Sequence, residues 1–313
     1  MDGNDDILSR VLAGETRAIA RLMSRVEGRP AEVAPIMAEI HKNAGRAHVI
    51  GLTGVPGSGK STLVHAMAKA IRSRGKTVGI VAVDPSSPYS GGAILGDRVR
   101  MSDLSTDEGV FIRSLATRGA LGGLARAALD TVDVLDAAGF DVVMIETVGV
   151  GQDEVDIAEA AQTVLVVSAP GLGDGIQAIK AGVLEIADVH VVSKCDKEES
   201  SRTVADLKAM LHLGSNVRNR YGWEVPVLRT SAETSLGIDE LVDTLEKHRT
   251  HLTESGEGAI RKRRILETRI LKTAEDLLRQ RIGEGDALTG AVESTLDGKL
   301  SPRQAAEELL KNI

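Results

Sequence analysis

Gly54-Val55-Pro56-Gly57-Ser58-Gly59-Lys60-Ser61 fills the pattern G-x-x-x-x-G-K-[ST] directly after the apolar run His48-Val-Ile-Gly-Leu-Thr53, which reads as a buried strand. The glycines let the backbone wrap closely with its N–H groups turned inward. A helix opening at Lys60, apolar at Leu63, Met67 and Ile71, adds the positive end of its dipole. Such a turn is a polyphosphate cradle: Gly54 through Thr62 supply the contacts, Lys60 reaches the β/γ-phosphates, and the Ser61 hydroxyl binds Mg²⁺.

The 313 residues are 42% hydrophobic and 27% charged but only 2% aromatic. A core of Val, Ile, Leu and Ala suits a parallel sheet covered by helices. The net charge of −7 argues against nucleic acid as the main partner, because phosphate backbones are bound by excess Lys and Arg. The single cysteine, Cys195, makes no internal disulfide and points to a reducing cytosol. The start Met1-Asp-Gly-Asn-Asp-Asp is acidic where a signal peptide is basic, and no run of about 18 apolar residues occurs. A cytoplasmic protein without a membrane partner is the expectation.

Three regions follow from periodicity. Residues 1–46 form a helical extension, with helices from Ile7 to about Arg25 and from Ala31 to about Lys42. Residues 47–254 alternate strand and helix, with apolar runs at 49–52, 77–83, 142–146, 163–168, 189–193 and 225–228. Residues 255–313 are helical, with one long stripe from Ala259 to Ile282 and a last helix from Arg303 to Lys311 that Ser301 and Pro302 start.

Charged residues sit where apolar runs stop, at the edge where such sheets bind ligands. Asp84, Asp97 and Glu146 are candidate Mg²⁺ carboxylates beside Ser61, since the ion takes oxygen ligands and keeps several waters. Turn capping is the alternative for Asp97. In Glu146-Thr147-Val148-Gly149-Val150-Gly151-Gln152, the Gly149 N–H is the natural γ-phosphate sensor. Gln152 invites comparison with a water-orienting glutamine but lies three residues past Gly149, which leaves its role open. Lys60, Glu146 and Gln152 are the candidates for chemistry. Ser193-Lys194-Cys195-Asp196 is like Asn-Lys-x-Asp, whose aspartate accepts from guanine N1–H and its amine. Thr230-Ser231-Ala232 fits the second guanine loop, so GTP and GDP are favoured over adenine nucleotides. Cys195 reads as inert, and His248 and His251 read as exposed, solvated helix-end cations that hold no metal.

Taken together, Gly54–Thr62, Val83-Asp-Pro-Ser-Ser-Pro88, Gly91-Gly-Ala-Ile-Leu-Gly-Asp-Arg98, Phe111-Ile-Arg-Ser-Leu-Ala-Thr-Arg-Gly119, Leu121-Gly-Gly-Leu-Ala125, Glu146–Gln152 and Pro170-Gly-Leu-Gly-Asp174 resemble the MeaB/ArgK-type P-loop GTPases. The resemblance covers nearly the whole chain. It implies an α/β fold with a mostly parallel sheet, an N-terminal helical extension and a C-terminal helical dimerisation arm. It also implies a homodimer that binds an adenosylcobalamin-dependent acyl-CoA mutase, most simply methylmalonyl-CoA mutase, and uses GTP to gate cofactor loading and to protect or reactivate the mutase. Asp84, Asp97 and Glu146 match that family's magnesium and switch carboxylates, while 149–155 and roughly 173–180 match its second and third switches.

Two departures stand out. Ser193 replaces the family's Asn and is too short for the same contact to guanine N7, and Gly175 stands where an acidic residue is expected. They leave room for a sister client such as isobutyryl- or 2-hydroxyisobutyryl-CoA mutase. A nickel-insertion GTPase would need a histidine-rich tract, and a small-molecule P-loop kinase would lack the guanine loops.

Overall fold

The computed structural model describes residues 3–28, 30–84, 103–116, 126–147, 156–171, 181–213, 219–220, 222–283 and 287–311. Seven strands form one wholly parallel sheet: β1 (His48–Thr53), β2 (Val78–Asp84), β3 (Val110–Ala116), β4 (Val142–Thr147), β5 (Thr163–Ser168), β6 (Val189–Val192) and β9 (Val227–Arg229). Their spatial order is β3-β2-β4-β1-β5-β6-β9. A separate hairpin joins β7 (Asn219–Arg220) to β8 (Trp223–Glu224). The central strands β1, β4, β5 and β6 are buried at every position. That is why they read as continuous apolar runs and not as alternating ones.

One face of the sheet is covered by α4 (Lys60–Ser73) and α8 (Ile238–Glu254), which close a core of Leu52, Leu63, Met67, Leu165 and Leu241. The other face carries α5 (Arg126–Ala137), against which α1 (Gly3–Leu12), α2 (Thr16–Gly28) and α3 (Pro30–Asn43) pack through Ile19, Leu22, Met23 and Ile40. The described chain also contains α6 (Ala181–Glu185) and α7 (Ser200–Leu213), which flank β6.

The structure corrects the expected helix from Ile7 to Arg25. It is two helices, parted where Gly14 takes φ +76°, a left-handed turn that an L side chain would strain. These helices belong to the same core as the sheet. The Asp136 carboxylate of α5 accepts the N–H groups of Gly45, Arg46 and Ala47 at 2.7, 3.0 and 3.1 Å. Hydrogen bonds to charged groups contribute about 1.5–3 kcal/mol each, whereas an exposed ion pair contributes about 0–1. The carboxylate therefore fastens the extension more firmly than surface pairs such as Arg10–Asp6 do. A second fastening is the ion pair of Glu27 on α2 with Arg113 on β3.

Strand β3 itself lay outside the six expected runs. Its apolar pattern is interrupted: Phe111 and Leu115 are buried, and Arg113, on the same face between them, turns to Glu27 of α2 at the edge of the sheet. The run expected at 225–228 begins as a strand only at Val227.

The chain forms two compact units, Met1–Lys262 and Arg263–Ile313. The second contains most of α9 (Glu257–Gly283), then α10 (Ala287–Leu296) and α11 (Pro302–Lys311). Ser301 Oγ accepts Gln304 N–H at 3.3 Å while Gln304 Oε1 accepts Ser301 N–H at 3.0 Å, a reciprocal box that starts α11 where the sequence placed it. Among the described residues, no helix is long and apolar enough to cross a membrane.

Burial holds three histidines neutral. His48 is pushed down to about 3, by burial first and then by the Arg249 charge, and burial pushes His190 and His248 down to about 4. Unfolded, these rings take up protons near 6.5, so the folded state is fully favoured above that pH and loses stability as pH falls from 6.5 toward 4. The thermal midpoint is expected to drop by roughly 10 °C between pH 7 and pH 5. Both ring nitrogens of His190 lack a hydrogen-bond partner. His190→Leu is therefore expected to leave stability at pH 7 unchanged or higher and to flatten this slope, and thermal scans across pH check both.

Candidate functional site

The parallel strands bring their carboxyl ends to one edge, and the loop after β1 lies at its centre. Gly54 there has φ +139°, and a Cβ on it would lie 2.1 Å from the Val167 carbonyl oxygen of β5. Side chains are excluded by both backbone and space. The loop turns into α4 at Lys60, whose side chain is buried and whose Nζ donates to the carbonyls of Gly54 at 2.7 Å and Val55 at 3.3 Å. The ammonium is thus held inside the loop, at the helix's positive end.

Glu146 ends β4, the neighbour of β1, with Leu52 paired to it in register. That register brings two residues 85 positions apart together: Ser61 Oγ donates to Glu146 Oε1 at 2.6 Å, with the carboxylate buried. A hydroxyl and a carboxylate at a helix N-terminus form a hard-oxygen donor set, which suits Mg²⁺ and not a soft metal. Asp84 ends β2, next to β4, and so reaches the same edge through its backbone. Asp97, Gly149, Gln152, Asp174 and Gly175 lie outside the described residues, as do both matched switch segments.

Beside the loop is a cleft of about 200 Å³ lined by Gly59, Thr62, Lys194, Asp196, Ser231 and Ala232 among others. Ser193 directly follows β6, and its hydroxyl reaches the Ser58 carbonyl at 2.5 Å and the Ser168 carbonyl at 3.1 Å. Lys194 takes φ +54° and donates from Nζ to the Gly57 carbonyl at 2.8 Å. Cys195 N–H donates to the Thr230 carbonyl at 2.9 Å, which joins the 193–196 loop to the 231–232 loop. A hydrogen bond from Ser231 holds the Asp196 carboxyl below its ordinary range, helped by Lys197 and Lys194. Asp196 is therefore an ionised acceptor at neutral pH.

The arrangement thus offers a glycine-rich loop and a buried ammonium at one end and a carboxylate acceptor at the other. Sequence reasoning missed Lys197 and Glu233, which also line the cleft beside the motifs, and Val167, whose backbone backs Gly54. Val167 has no sequence signal, because only the pairing of β1 with β5 brings it there.

The expectation for His248 is overturned. The ring is fully buried, its Nδ1 lies 2.9 Å from Thr163 Oγ1, and Trp223 packs against it at a tilt with centroids 4.7 Å apart. Burial removes its charge, so it is no helix-end cation. Cys195 is buried, with Sγ 3.1 Å from the Val192 carbonyl oxygen. Among the described residues no group of three or more His, Cys, Asp or Glu is arranged to hold a metal ion.

Residues 17–287 match the family model described as methylmalonyl Co-A mutase-associated GTPase MeaB. A protein of Pyrococcus abyssi is 44% identical over 313 residues, spanning 99% of this chain and 96% of its own. GTPase ArgK of Escherichia coli is 34% identical over 314 residues, spanning 96% of this chain and 95% of its own. A crystal structure of an LAO/AO transport system kinase superposes with a TM-score of 0.72 at 28% identity, covering 98% of this chain and 96% of that one.

Asp196→Asn is expected to shift binding from guanine toward xanthine nucleotides, because the amide offers a donor to the xanthine 2-oxygen where the carboxylate offered only acceptors. Calorimetric titration with GDP and XDP checks it, and unchanged GDP preference would remove Asp196 from base recognition.

Proposed function

Because the chain belongs to the MeaB family of methylmalonyl-CoA mutase-associated P-loop GTPases, we propose that its GTPase cycle serves an adenosylcobalamin-dependent acyl-CoA mutase, most directly methylmalonyl-CoA mutase. In this reading, GTP binding and hydrolysis gate cofactor loading and protect or reactivate the mutase. The observation that carries it is the family match across residues 17–287. It is supported by the buried Ser61–Glu146 pair beside the Gly54–Ser61 loop and by the ionised Asp196 in the adjoining cleft.

In the proposed mechanism the amides of residues 54–62 wrap the polyphosphate, and Lys60 exchanges the Gly54 and Val55 carbonyls for β/γ-phosphate oxygens. That exchange removes two neutral acceptors from the ammonium and supplies charged ones. Asp196 accepts from guanine N1–H and the exocyclic amine, while the Lys194 stem packs along the base. Ser61 and Glu146 are the residues that would hold Mg²⁺, with Asp84 and Asp97 as further carboxylates; the ion supplies neutralisation of charge on the β/γ oxygens. Gly149 senses the γ-phosphate, and Gln152 orients water or relays the switch to the mutase.

The proposed arm is the second unit. Ile270, Leu271 and Leu296 are 66%, 64% and 75% exposed there, more apolar surface than an isolated helix leaves in water without a partner. A chain ended after Lys262, where the first unit closes, is expected to bind GDP as a monomer while the full chain is a dimer. Light scattering decides this, and a dimeric truncation would move the interface elsewhere.

The mutase reading is tested by single-turnover GTP hydrolysis with and without purified methylmalonyl-CoA mutase. Stimulation of roughly 5-fold or more is expected, and it should be reduced by Gln152→Ala while GTP affinity stays within about 2-fold of the parent, matching a coupling of about 1–3 kcal/mol. An unstimulated rate, with no GTP-dependent transfer of cofactor, would overturn it.

A further inference from the structure

At the edge of the sheet opposite the cleft lies a buried polar cluster that nucleotide binding and hydrolysis do not use. Arg261, in the first turns of α9, donates to both oxygens of Asp188 at 2.6 and 2.7 Å and to Glu257 Oε1 at 2.6 Å. It also donates to the Gln162 carbonyl at 2.7 Å, just ahead of β5. His248 and His251 of α8 pack at a tilt against Trp223, with centroids 4.7 and 5.5 Å away, and Trp223 Nε1–H donates to the Asp188 carbonyl at 2.9 Å.

Where these residues stand in the chain matters. Asp188 directly precedes β6, and Ser193 of the base-reading loop directly follows it, about 16 Å away along extended chain. His248 and His251 are in the last turns of α8, whose first turn follows the 231–237 loop. The two elements that carry the base-reading loops therefore both end in one cluster, and α9 begins there.

The cluster also holds two pairs of groups that face each other without bonding. His248 Nε2 lies 3.6 Å from Asp188 Oδ1, and His251 Nε2 lies 3.8 Å from Glu257 Oε2. Neither nitrogen, nor Glu257 Oε2, has a hydrogen-bond partner. Both gaps exceed hydrogen-bond length, and a shift of about 1 Å in α8, which carries both imidazoles, is enough to close either one. The guanidinium holds both carboxylates, and the imidazoles stand beside them unbonded. Buried polar groups left unpaired are costly, so His248 Nε2, His251 Nε2 and Glu257 Oε2 favour any displacement that pairs them.

We propose that Asp188 and Arg261 are positioning residues for base recognition: through them the start of α9 and the two base-reading loops bias one another, so that guanine binding at the cleft resets the cluster and a change at α9 alters nucleotide affinity. The coupling rests on reading residues 193–196 and 231–232 as guanine loops. It is reciprocal by linkage, and both sites act on the same cluster.

The chain contains a single tryptophan, and it sits in this cluster, so its emission reports the cluster directly. The full-length chain is titrated with GDP by calorimetry, with Trp223 emission followed in parallel. The emission is expected to change and to saturate at the calorimetric midpoint, and ATP should leave it unmoved. Arg261→Met should still bind GDP with about 5-fold or more altered affinity and a lost emission response. His251→Asn, a milder change at a partly exposed ring, should blunt the response in a chain that folds as the parent does. Arg249→Gln, which removes a bond to the Arg46 carbonyl outside the cluster, should keep both readouts. Silent Trp223 emission while calorimetry shows GDP bound overturns the coupling and leaves the binding site standing. Parent affinity and response in both Arg261→Met and His251→Asn overturn it as well. Absence of GDP binding by the parent chain removes the guanine loops, and the coupling with them.

Discussion

The loop after β1 passes so close to β5 that a single methyl group at residue 54 would collide with the Val167 carbonyl oxygen at 2.1 Å. Everything at the site's phosphate end follows from that approach. Because β1 lies between β4 and β5, its loop emerges flanked by the ends of both strands, one offering Glu146 and the other a backbone wall. Lys60 and Ser61 are then delivered by the helix that the loop starts, and no separate element is needed to bring the carboxylate to the hydroxyl. Parallel pairing sets that meeting, since every strand of the sheet presents its carboxyl end at the same edge.

Much of this was legible in the sequence, and the reasons are local. The core strands β1, β4 and β5 are buried on both faces, so they appear as unbroken apolar runs. Glu146 announced itself as a charge at the end of one. β3 did not, because an edge strand that turns Arg113 toward Glu27 mixes polar and apolar residues as a loop does. The break at Gly14 was hidden for a related reason: glycine inside a helical pattern costs only about 1 kcal/mol, and apolar spacing continues across it from Val11 to Ile19. Whether that glycine bends the chain is settled by packing of α1 and α2 and not by the pattern.

His248 shows where pattern reasoning fails outright. Near the end of an amphipathic helix a histidine reads as solvated, and nothing around Trp223 signals that it will be covered. The cover is a hairpin of two-residue strands, too short for any periodicity, that lays the tryptophan on the ring. Burial then decides the chemistry: it outweighs the attraction of Asp188, and the ring stays neutral where a surface histidine would share the proton with solvent.

The replacement of Asn by Ser at position 193 bears on how the two ends of the cleft work together. The short hydroxyl cannot reach across a base, but it spans from β6 to the Ser58 carbonyl, and Lys194 makes a parallel bond to Gly57. Base-reading and phosphate-holding loops are thereby tied at two adjacent carbonyls of the same turn. Neither loop can move by much more than hydrogen-bond slack without dragging the other. In the proposed reading, a nucleotide seated at the Gly54–Ser61 loop presents its base to Asp196, whose carboxyl the hydrogen bond from Ser231 holds below its ordinary range. Preorganisation of this kind lowers the ordering cost of binding. In the proposed reading, discrimination falls to Asp196, whose carboxylate tells a donor edge from an acceptor edge.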